Sequence, residues 1–145
     1  MKKIAVIYWS GTGNTEKMAE GVLKGIVGQG HNAALLRVDQ VSLESEAEFQ
    51  AFALGCPAMG NEVLEEMEME PFLQRMEIRK LQGVQVALFG SYDWGNGQWM
   101  RDWEKRMNGM GAQVITAGLT IQGTPDQAGI EQCRKLGEKL AAAIV

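Results

Sequence analysis

Three short segments rich in glycine, hydroxyl and amide side chains are the parts of this chain best suited to chemistry. The first reads Trp9-Ser10-Gly11-Thr12-Gly13-Asn14-Thr15. Its glycines let backbone N–H groups turn inward, and the helix predicted after it directs the positive end of its dipole to the same space. It is not a Walker A loop, which needs a Lys-Ser/Thr pair, nor a GxGxxG loop, because Glu16 replaces the third glycine. A phosphate held by neutral donors is the predicted ligand, and a plain helix-capping turn is the alternative.

Two later segments follow the third and fourth predicted strands. They read Gly55-Cys56-Pro57-Ala58-Met59-Gly60-Asn61-Glu62 and Ser91-Tyr92-Asp93-Trp94-Gly95-Asn96-Gly97. A tryptophan at the tip of a glycine-rich loop is hard to explain as core, so Trp94 is a candidate for covering one face of a flat ligand. Met59 is the candidate for the opposite face, although methionine also serves as core filler. Trp99 and Trp103 fall on a predicted helix and are expected to be packing residues.

The elements that must position these loops are strands alternating with helices. Five apolar runs predict strands: Ile4–Tyr8, Ala33–Val38, Phe49–Gly55, Val84–Gly90 and Gln113–Ile121. Most of these runs are apolar without alternation, as expected for parallel strands that are buried on both faces. A helix with Val22 and Val27 on its apolar face is predicted after the first loop, and further helices over Glu70–Met76, Gln98–Asn108 and Asp126–Ile144.

This alternation predicts an α/β fold formed by a single domain, residues 1–145. The sheet should be doubly wound and parallel, with five strands in the order 2-1-3-4-5 and helices on both faces. Strands one, three and four are neighbours in that order, so the three loops at their carboxyl ends should meet where the strand order reverses. Open α/β sheets bind their ligands at this position.

Composition and charge exclude several other classes of protein. The 145 residues carry a net charge of -4 at pH 7, which is unsuited to nucleic acid and favours a basic protein partner. No apolar run reaches the roughly 20 residues of a membrane helix, so no membrane association is predicted. Cys56 and Cys133 lack CxxC spacing and His31 is the single histidine, so no metal site is predicted. The two cysteines are expected to be inert buried thiols of a cytoplasmic protein.

With these loops identified, the chain resembles the flavodoxins, small FMN-binding electron carriers, and in particular the short-chain type of anaerobic bacteria. The resemblance extends over essentially the whole chain. It rests on Tyr8-Trp9-Ser10-Gly11-Thr12-Gly13-Asn14-Thr15-Glu16, Ala58-Met59-Gly60 with Glu62, Glu70-Pro71-Phe72, Leu88-Phe89-Gly90-Ser91-Tyr92 with Trp94-Gly95, and Trp99-Met100-Arg101-Asp102. The fifth predicted strand passes directly to the last helix, without the insertion of long-chain members.

The resemblance implies a flavodoxin-like fold and a low-potential one-electron carrier whose non-covalently bound FMN shuttles between semiquinone and hydroquinone. It implies that Ser10 to Thr15 hold the phosphate and that Met59 and Trp94 lie against the inner and outer flavin faces. Glu62 would accept a hydrogen bond from flavin N3, and the Gly60-Asn61 peptide would turn over to offer its carbonyl to N5. The residues expected to bind FMN are Trp9, Ser10, Gly11, Thr12, Gly13, Asn14, Thr15, Ala58, Met59, Gly60, Asn61, Glu62, Ser91, Tyr92, Asp93, Trp94, Gly95 and Asn96.

The resemblance also implies a monomer with no catalytic residues of its own and redox partners that dock through basic patches. A run of acidic residues adjoins the second loop: Glu62, Glu65, Glu66, Glu68 and Glu70. Their summed charge would lower the potential of the hydroquinone step and attract such partners. The alternative interpretation of this run is a solvated helix face.

Three positions depart from the family pattern and change the charge near the flavin. Asn61 and Asn96 stand where aspartate is common, and Asp93 stands where glycine is usual. The alternative function is a small FMN-dependent quinone oxidoreductase, which needs open space where Trp94 is expected. A receiver domain is excluded because its acidic cluster and lysine are absent. A phosphatase is excluded because the C-x5-R pattern from Cys56 would need arginine at the position of Glu62.

Overall fold

The protein is described by a computed structural model that covers residues 3–42, 46–79 and 81–144. Over these residues a parallel sheet is flanked by four helices, and a short 3-10 helix occupies Val38–Gln40. The elements in chain order are β1 (Lys3–Tyr8), α1 (Asn14–Gly28), β2 (Asn32–Arg37), β3 (Ala51–Gly55), α2 (Met69–Arg79), β4 (Gln85–Tyr92), α3 (Gln98–Gly109), β5 (Gln113–Val114), β6 (Leu119–Gln122) and α4 (Gln127–Ala143). Among the helices described, none combines the length and the apolar composition that a membrane crossing requires.

The strand order is β2-β1-β3-β4, with β5 and β6 both paired to the outer side of β4. This confirms the predicted order, but the predicted strand Gln113–Ile121 is two short strands. The Ile115 N–H still bonds to the Val86 carbonyl at 3.0 Å, whereas the Gly118 N–H donates to the Glu104 carboxylate on α3 at 2.5 Å. The chain therefore leaves the sheet edge toward α3 between β5 and β6.

Two separate cores cover the two faces of the sheet. Alternate strand residues point to opposite faces: Ile7 and Leu54 pack with α2 and α3, and Ile4 and Val6 pack with α1 and α4. These strand side chains are fully buried. The apolar runs without alternation are thus explained by helices on both sides of the sheet, as predicted.

Helices α1 and α4 approach each other closely enough for backbone to touch backbone. A β-carbon on Gly25 would lie 1.9 Å from the Arg134 carbonyl oxygen, and one on Gly137 would lie 2.1 Å from the Val22 carbonyl oxygen. Real β-carbons do not approach oxygen this closely, so glycine is required at both positions. This seam fixes α1, whose N-terminus borders the first loop.

Several element boundaries differ from the predictions. Ser91 and Tyr92 belong to β4 rather than to the loop after it. The weak helix predicted at Glu70–Met76 extends over Met69–Arg79 because Phe72, Leu73 and Met76 bury one continuous face. Val27, predicted to be buried, is 53% exposed, because the buried face of α1 runs through Val22 and Ile26 and Val27 lies about 100° around the helix from Ile26.

Candidate functional site

The three predicted loops leave adjacent strands side by side. Backbone bonds continue past the strand ends: the Trp9 N–H donates to the Gly55 carbonyl at 3.0 Å, and the Ala58 N–H donates to the Ser91 carbonyl at 3.0 Å. The carboxyl ends of β1, β3 and β4 therefore meet at one edge of the sheet. This is where the strand order reverses, as the sequence predicted.

The first loop forms a cradle around the N-terminus of α1. The N-cap residue is Gly13, with φ 98°, so it has no side chain to cap the helix. The Ser10 hydroxyl oxygen accepts the N–H groups of Gly13 at 3.1 Å and Glu16 at 3.3 Å, which leaves its own O–H to donate elsewhere. Within the described residues no acceptor bonds the N–H groups of Asn14 and Thr15. Free N–H groups at a helix N-terminus suit an anion.

Two of the predicted ligand residues bond to each other. The Thr15 and Ser91 hydroxyls are 2.7 Å apart, and both residues are buried. The Ser91 N–H also approaches Thr15 Oγ1 at 3.4 Å. This pair ties the start of α1 to the end of β4, so the cradle and the third loop are held in fixed register.

Glu16 is the acidic residue in the first turn of α1. Its carboxylate accepts the Tyr8 hydroxyl proton at 2.7 Å. Burial, followed by this hydrogen bond to a carboxylate, raises the pKa of Tyr8 to about 12. Tyr8 therefore stays protonated at physiological pH and keeps Glu16 bound.

The second loop makes a tight turn from Met59 to Val63. The two residues exchange backbone hydrogen bonds of 2.8 and 2.9 Å across the turn. Gly60 has φ 48° and Glu62 has φ 56°, and Glu62 is the one non-glycine residue with positive φ in the described chain. The left-handed conformation costs a non-glycine residue roughly 1 kcal/mol, so Glu62 is held there by its surroundings.

Those surroundings are the third loop and the start of α3. Glu62 Oε2 accepts the Gln98 N–H at 2.8 Å, and Oε1 lies 3.4 Å from the Asn96 nitrogen. A β-carbon on Gly95 would lie 2.4 Å from the Glu62 carboxyl carbon, so only glycine permits this approach. Glu62 thus caps α3 and connects the second loop to the third.

A groove runs between the three loops. It consists of two adjoining cavities of about 140 and 170 Å³, which share Ala58, Met59 and Asp93 as walls. The first cavity also contacts Trp9, Gly11, Thr12, Asn14, Pro57, Ser91 and Tyr92, and the second also contacts Gly60, Glu62 and Trp94. Trp94 is 60% exposed, whereas Trp99 and Trp103 are buried as predicted. The indole of Trp94 is therefore a free apolar surface at the mouth of the groove.

A larger cavity of about 380 Å³ lies elsewhere, between residues Thr116–Thr120 at the sheet edge and helix α4. It contains none of the predicted site residues. Its position follows from the interruption of the fifth strand, which leaves space beside α4.

The acidic run from Glu62 to Glu70 is not a solvated helix face as a whole, because helix α2 begins only at Met69 and most of the run precedes it. The buried Glu65 carboxylate accepts the N–H groups of Met67, Glu68 and Met69 at 2.7 to 2.9 Å, so it caps α2. Glu68 accepts the Trp9 indole N–H at 3.1 Å, which links this segment to the cradle.

Glu70 is paired with Arg106 on α3 through two hydrogen bonds, at 2.8 and 2.5 Å. The Arg106 guanidinium lowers the pKa of Glu70, and Glu70 raises the pKa of Arg106. The stabilisation from this pair is present at neutral pH and is lost as pH falls through the lowered pKa of Glu70. Glu70 therefore contributes little net charge to the groove.

Both cysteines are free and buried, as predicted. Burial raises the pKa of Cys56 and of Cys133 to about 12, so neither thiol is activated as a nucleophile. In the part of the chain that the structure describes, no three His, Cys, Asp or Glu side chains cluster as metal ligands would.

The structure thus brings the three loops into one groove, with Asn61 on the exposed outside of its turn. Sequence reasoning missed Pro57, which forms part of the wall directly before Ala58. It also missed Gln98 and Arg101, which hold the third loop from α3. The sequence feature that indicates Gln98 is its place as the first residue of a predicted helix, because the N–H there has no acceptor within the helix.

Comparison with known proteins gives matches over nearly the full chain. The family model described as Flavodoxin matches residues 6–137, which include all three loops. The flavodoxin of Clostridium beijerinckii is 48% identical over 136 residues, covering 94% of this chain and 97% of that protein. The solution structure of two-electron reduced Megasphaera elsdenii flavodoxin shares 40% identity with a TM-score of 0.85, covering 96% of this chain and 98% of that chain. A flavodoxin structure from the domain Archaea shares 29% identity with a TM-score of 0.88, covering 97% of each.

Proposed function

The chain belongs to the flavodoxin family, whose members are FMN-binding electron carriers, and from this premise we propose that it carries one electron at a time at low potential. Bound FMN would supply the redox chemistry, exchanging one electron at a time between its semiquinone and hydroquinone states. The observation that carries the proposal is a groove that joins an uncharged anion cradle to two apolar surfaces, Met59 and Trp94. The groove is the proposed FMN site.

The cradle fits a phosphate held without a counter-charge. The Ser10 hydroxyl proton and the N–H groups of Asn14 and Thr15 are the donors that would bind it. No Lys or Arg occurs from Trp9 to Thr15, so a bound phosphate dianion keeps its charge. That charge raises the energy of an anionic reduced flavin nearby and lowers the potential of the step that forms it.

The flavin ring would lie between Met59 and Trp94, with Glu62 at its edge. Glu62 already uses Oε2 to accept the Gln98 N–H, while among the described residues Oε1 makes only the long contact to the Asn96 N–H. Oε1 is therefore the atom suited to accept a hydrogen bond from the flavin imide N–H. In this role Glu62 binds the cofactor without releasing α3.

Proteins with basic docking patches are the proposed redox partners. Glu66 is exposed on the segment that follows the second loop, and its neighbour Met67 is 82% exposed. Acidic side chains around an exposed apolar patch suit a short-lived complex with a basic surface. A cytoplasmic location and a monomeric state belong to the same proposal. The alternative, a quinone oxidoreductase, is not favoured, because the relatives that match over nearly their full length carry the name flavodoxin.

Titration of the cofactor-free protein with FMN and with riboflavin tests this function. One equivalent of FMN should bind with quenching of flavin fluorescence, and riboflavin, which lacks the phosphate, should bind at least about tenfold more weakly. Equal affinity for both would show that the cradle holds no phosphate. No binding of either flavin would contradict the function itself.

Gly60→Ala should reduce the amount of one-electron-reduced flavin that accumulates at half reduction. The Gly60-Asn61 peptide must change conformation for its carbonyl to reach flavin N5, and a β-carbon restricts the backbone states it can adopt. The positive φ of Gly60 should cost alanine about 1 kcal/mol of folding free energy, but oxidised FMN should still bind, because no atom lies within 4 Å of a β-carbon at this position. A redox titration followed by visible absorption measures the accumulated amount.

Gly83→Ala is the matched control for this prediction. Gly83 also has positive φ, 74°, and also has open space around a β-carbon, but it lies outside the groove. It should lower the free energy of unfolding by about 1 kcal/mol without altering the redox titration. Equal accumulation in Gly60→Ala and in the parent protein would rule out the peptide change.

A further inference from the structure

Arg101 on α3 holds the turn that precedes its own helix. Its Nη1 donates to the Asn96 carbonyl at 2.8 Å, and its Nη2 donates to Asn96 Oδ1 at 3.1 Å and to Gln98 Oε1 at 3.0 Å. These bonds use both terminal nitrogens of the planar guanidinium on one turn. Lysine could not reproduce this geometry.

The turn held by Arg101 is also the support of Glu62. Gln98 and Asn96, both bonded to Arg101, present the N–H groups that face the two Glu62 oxygens. Arg101 thus contacts the Glu62 carboxylate indirectly, through Asn96 and Gln98. If the turn loosens, Glu62 loses its orientation.

The positive charge of Arg101 is not matched by a partner carboxylate. Over residues 3–42, 46–79 and 81–144, no salt bridge involves Arg101. Asp102, the nearest acid in sequence, accepts the Gln98 side-chain N–H instead. The charge of Arg101 is therefore available to offset a carboxylate placed at the turn. Position 96 is the place for such a carboxylate, because Asn96 Oδ1 is already within hydrogen-bond distance of Arg101 Nη2.

We infer that Arg101 is a positioning residue for FMN: it holds the turn of residues 96–98 that orients Glu62, and its charge offsets a negative charge at position 96. The inference rests on the proposed function, because it concerns the groove as an FMN site. It has a consequence for the two asparagines that depart from the family pattern. Aspartate at position 96 would pair with Arg101 and act weakly on the flavin, whereas aspartate at position 61, to which no described Lys or Arg is bonded, would act without that offset.

Variants at position 101 separate the two roles. Arg101→Gln should raise the FMN dissociation constant about two- to fivefold, the size expected for an exposed charged contact, and should make the second reduction potential more negative. Arg101→Lys should restore the potential, since it keeps the charge, but not the affinity, since it loses the fork. Lys105→Gln removes the same charge from an exposed position of the same helix and should change the dissociation constant by less than Arg101→Gln does.

A double-mutant cycle with Asn96→Asp gives the decisive measurement. The shift in second potential caused by Asn96→Asp should be larger in the Arg101→Gln protein than in the parent, because only the parent pairs the new carboxylate. In the cofactor-free protein, Asn96→Asp should raise the urea midpoint of the parent and not that of Arg101→Gln. Equal effects in both backgrounds would overturn the inference. If no variant binds FMN, the proposed function fails, and the urea midpoints alone decide whether Arg101 pairs with position 96.

Discussion

Trp94→Ala should weaken FMN binding by about 1 to 3 kcal/mol, or about 5- to 150-fold in the dissociation constant. The indole is 60% exposed at the mouth of the groove, so its apolar surface has nothing to bury it until a flat ring lies against it. The substitution should also relieve the quenching of flavin fluorescence. Fluorescence titration of the cofactor-free protein measures both quantities.

Trp103→Ala is the contrasting variant. Trp103 lies on the buried face of α3 and is 1% exposed. Its replacement by alanine should lower the free energy of unfolding by about 3 to 5 kcal/mol. Trp94→Ala should change the stability of the cofactor-free protein by no more than about 0.5 kcal/mol. Unaltered FMN affinity and emission in Trp94→Ala would refute the assignment of this residue to the flavin face.

Gly25→Ala should lower the free energy of unfolding by about 3 kcal/mol and the melting temperature by about 10 °C. Its β-carbon would lie 1.9 Å from the Arg134 carbonyl oxygen, so α1 and α4 would have to move apart along their whole seam. The contact is to backbone, which cannot rotate away as the end of a side chain can. Thermal and urea unfolding of the cofactor-free protein check the result.

Gly28→Ala is the control for this seam. It lies on the same helix, three residues later, where nothing comes within 4 Å of a β-carbon. It should leave stability unchanged or raise it by up to about 1 kcal/mol, because alanine restricts the unfolded chain more than glycine does. A Gly25→Ala protein as stable as the parent would mean that the helices do not pack backbone to backbone.

Most of the fold could be predicted because a strand that is buried on both faces of the sheet has a continuous apolar sequence. The run Ile4–Tyr8 is apolar at every position, and the structure buries each residue between two helical layers. The interruption of the fifth strand could not be predicted in this way. There the Gly118 N–H donates to the Glu104 carboxylate on α3 instead of to a strand, a tertiary contact that local sequence does not show.

The loops of the site could be predicted because strand ends and glycines fix where they meet. What the sequence did not show is which groups hold the loops in place. The cap that Glu62 gives to α3 needs the second and third loops to touch, and the Arg101 bonds depend on a side-chain conformation. Both are tertiary contacts, so residue type and local spacing carry little information about them.

If this protein carries single electrons on FMN, stepwise reduction of the FMN-loaded protein under anaerobic conditions should reveal a one-electron-reduced form. The visible spectrum should pass through a blue neutral semiquinone that accumulates to a large share of the flavin at half reduction, before the fully reduced form appears. A spectrum that converts from the oxidised to the fully reduced form with no blue intermediate would contradict the account and favour two-electron chemistry.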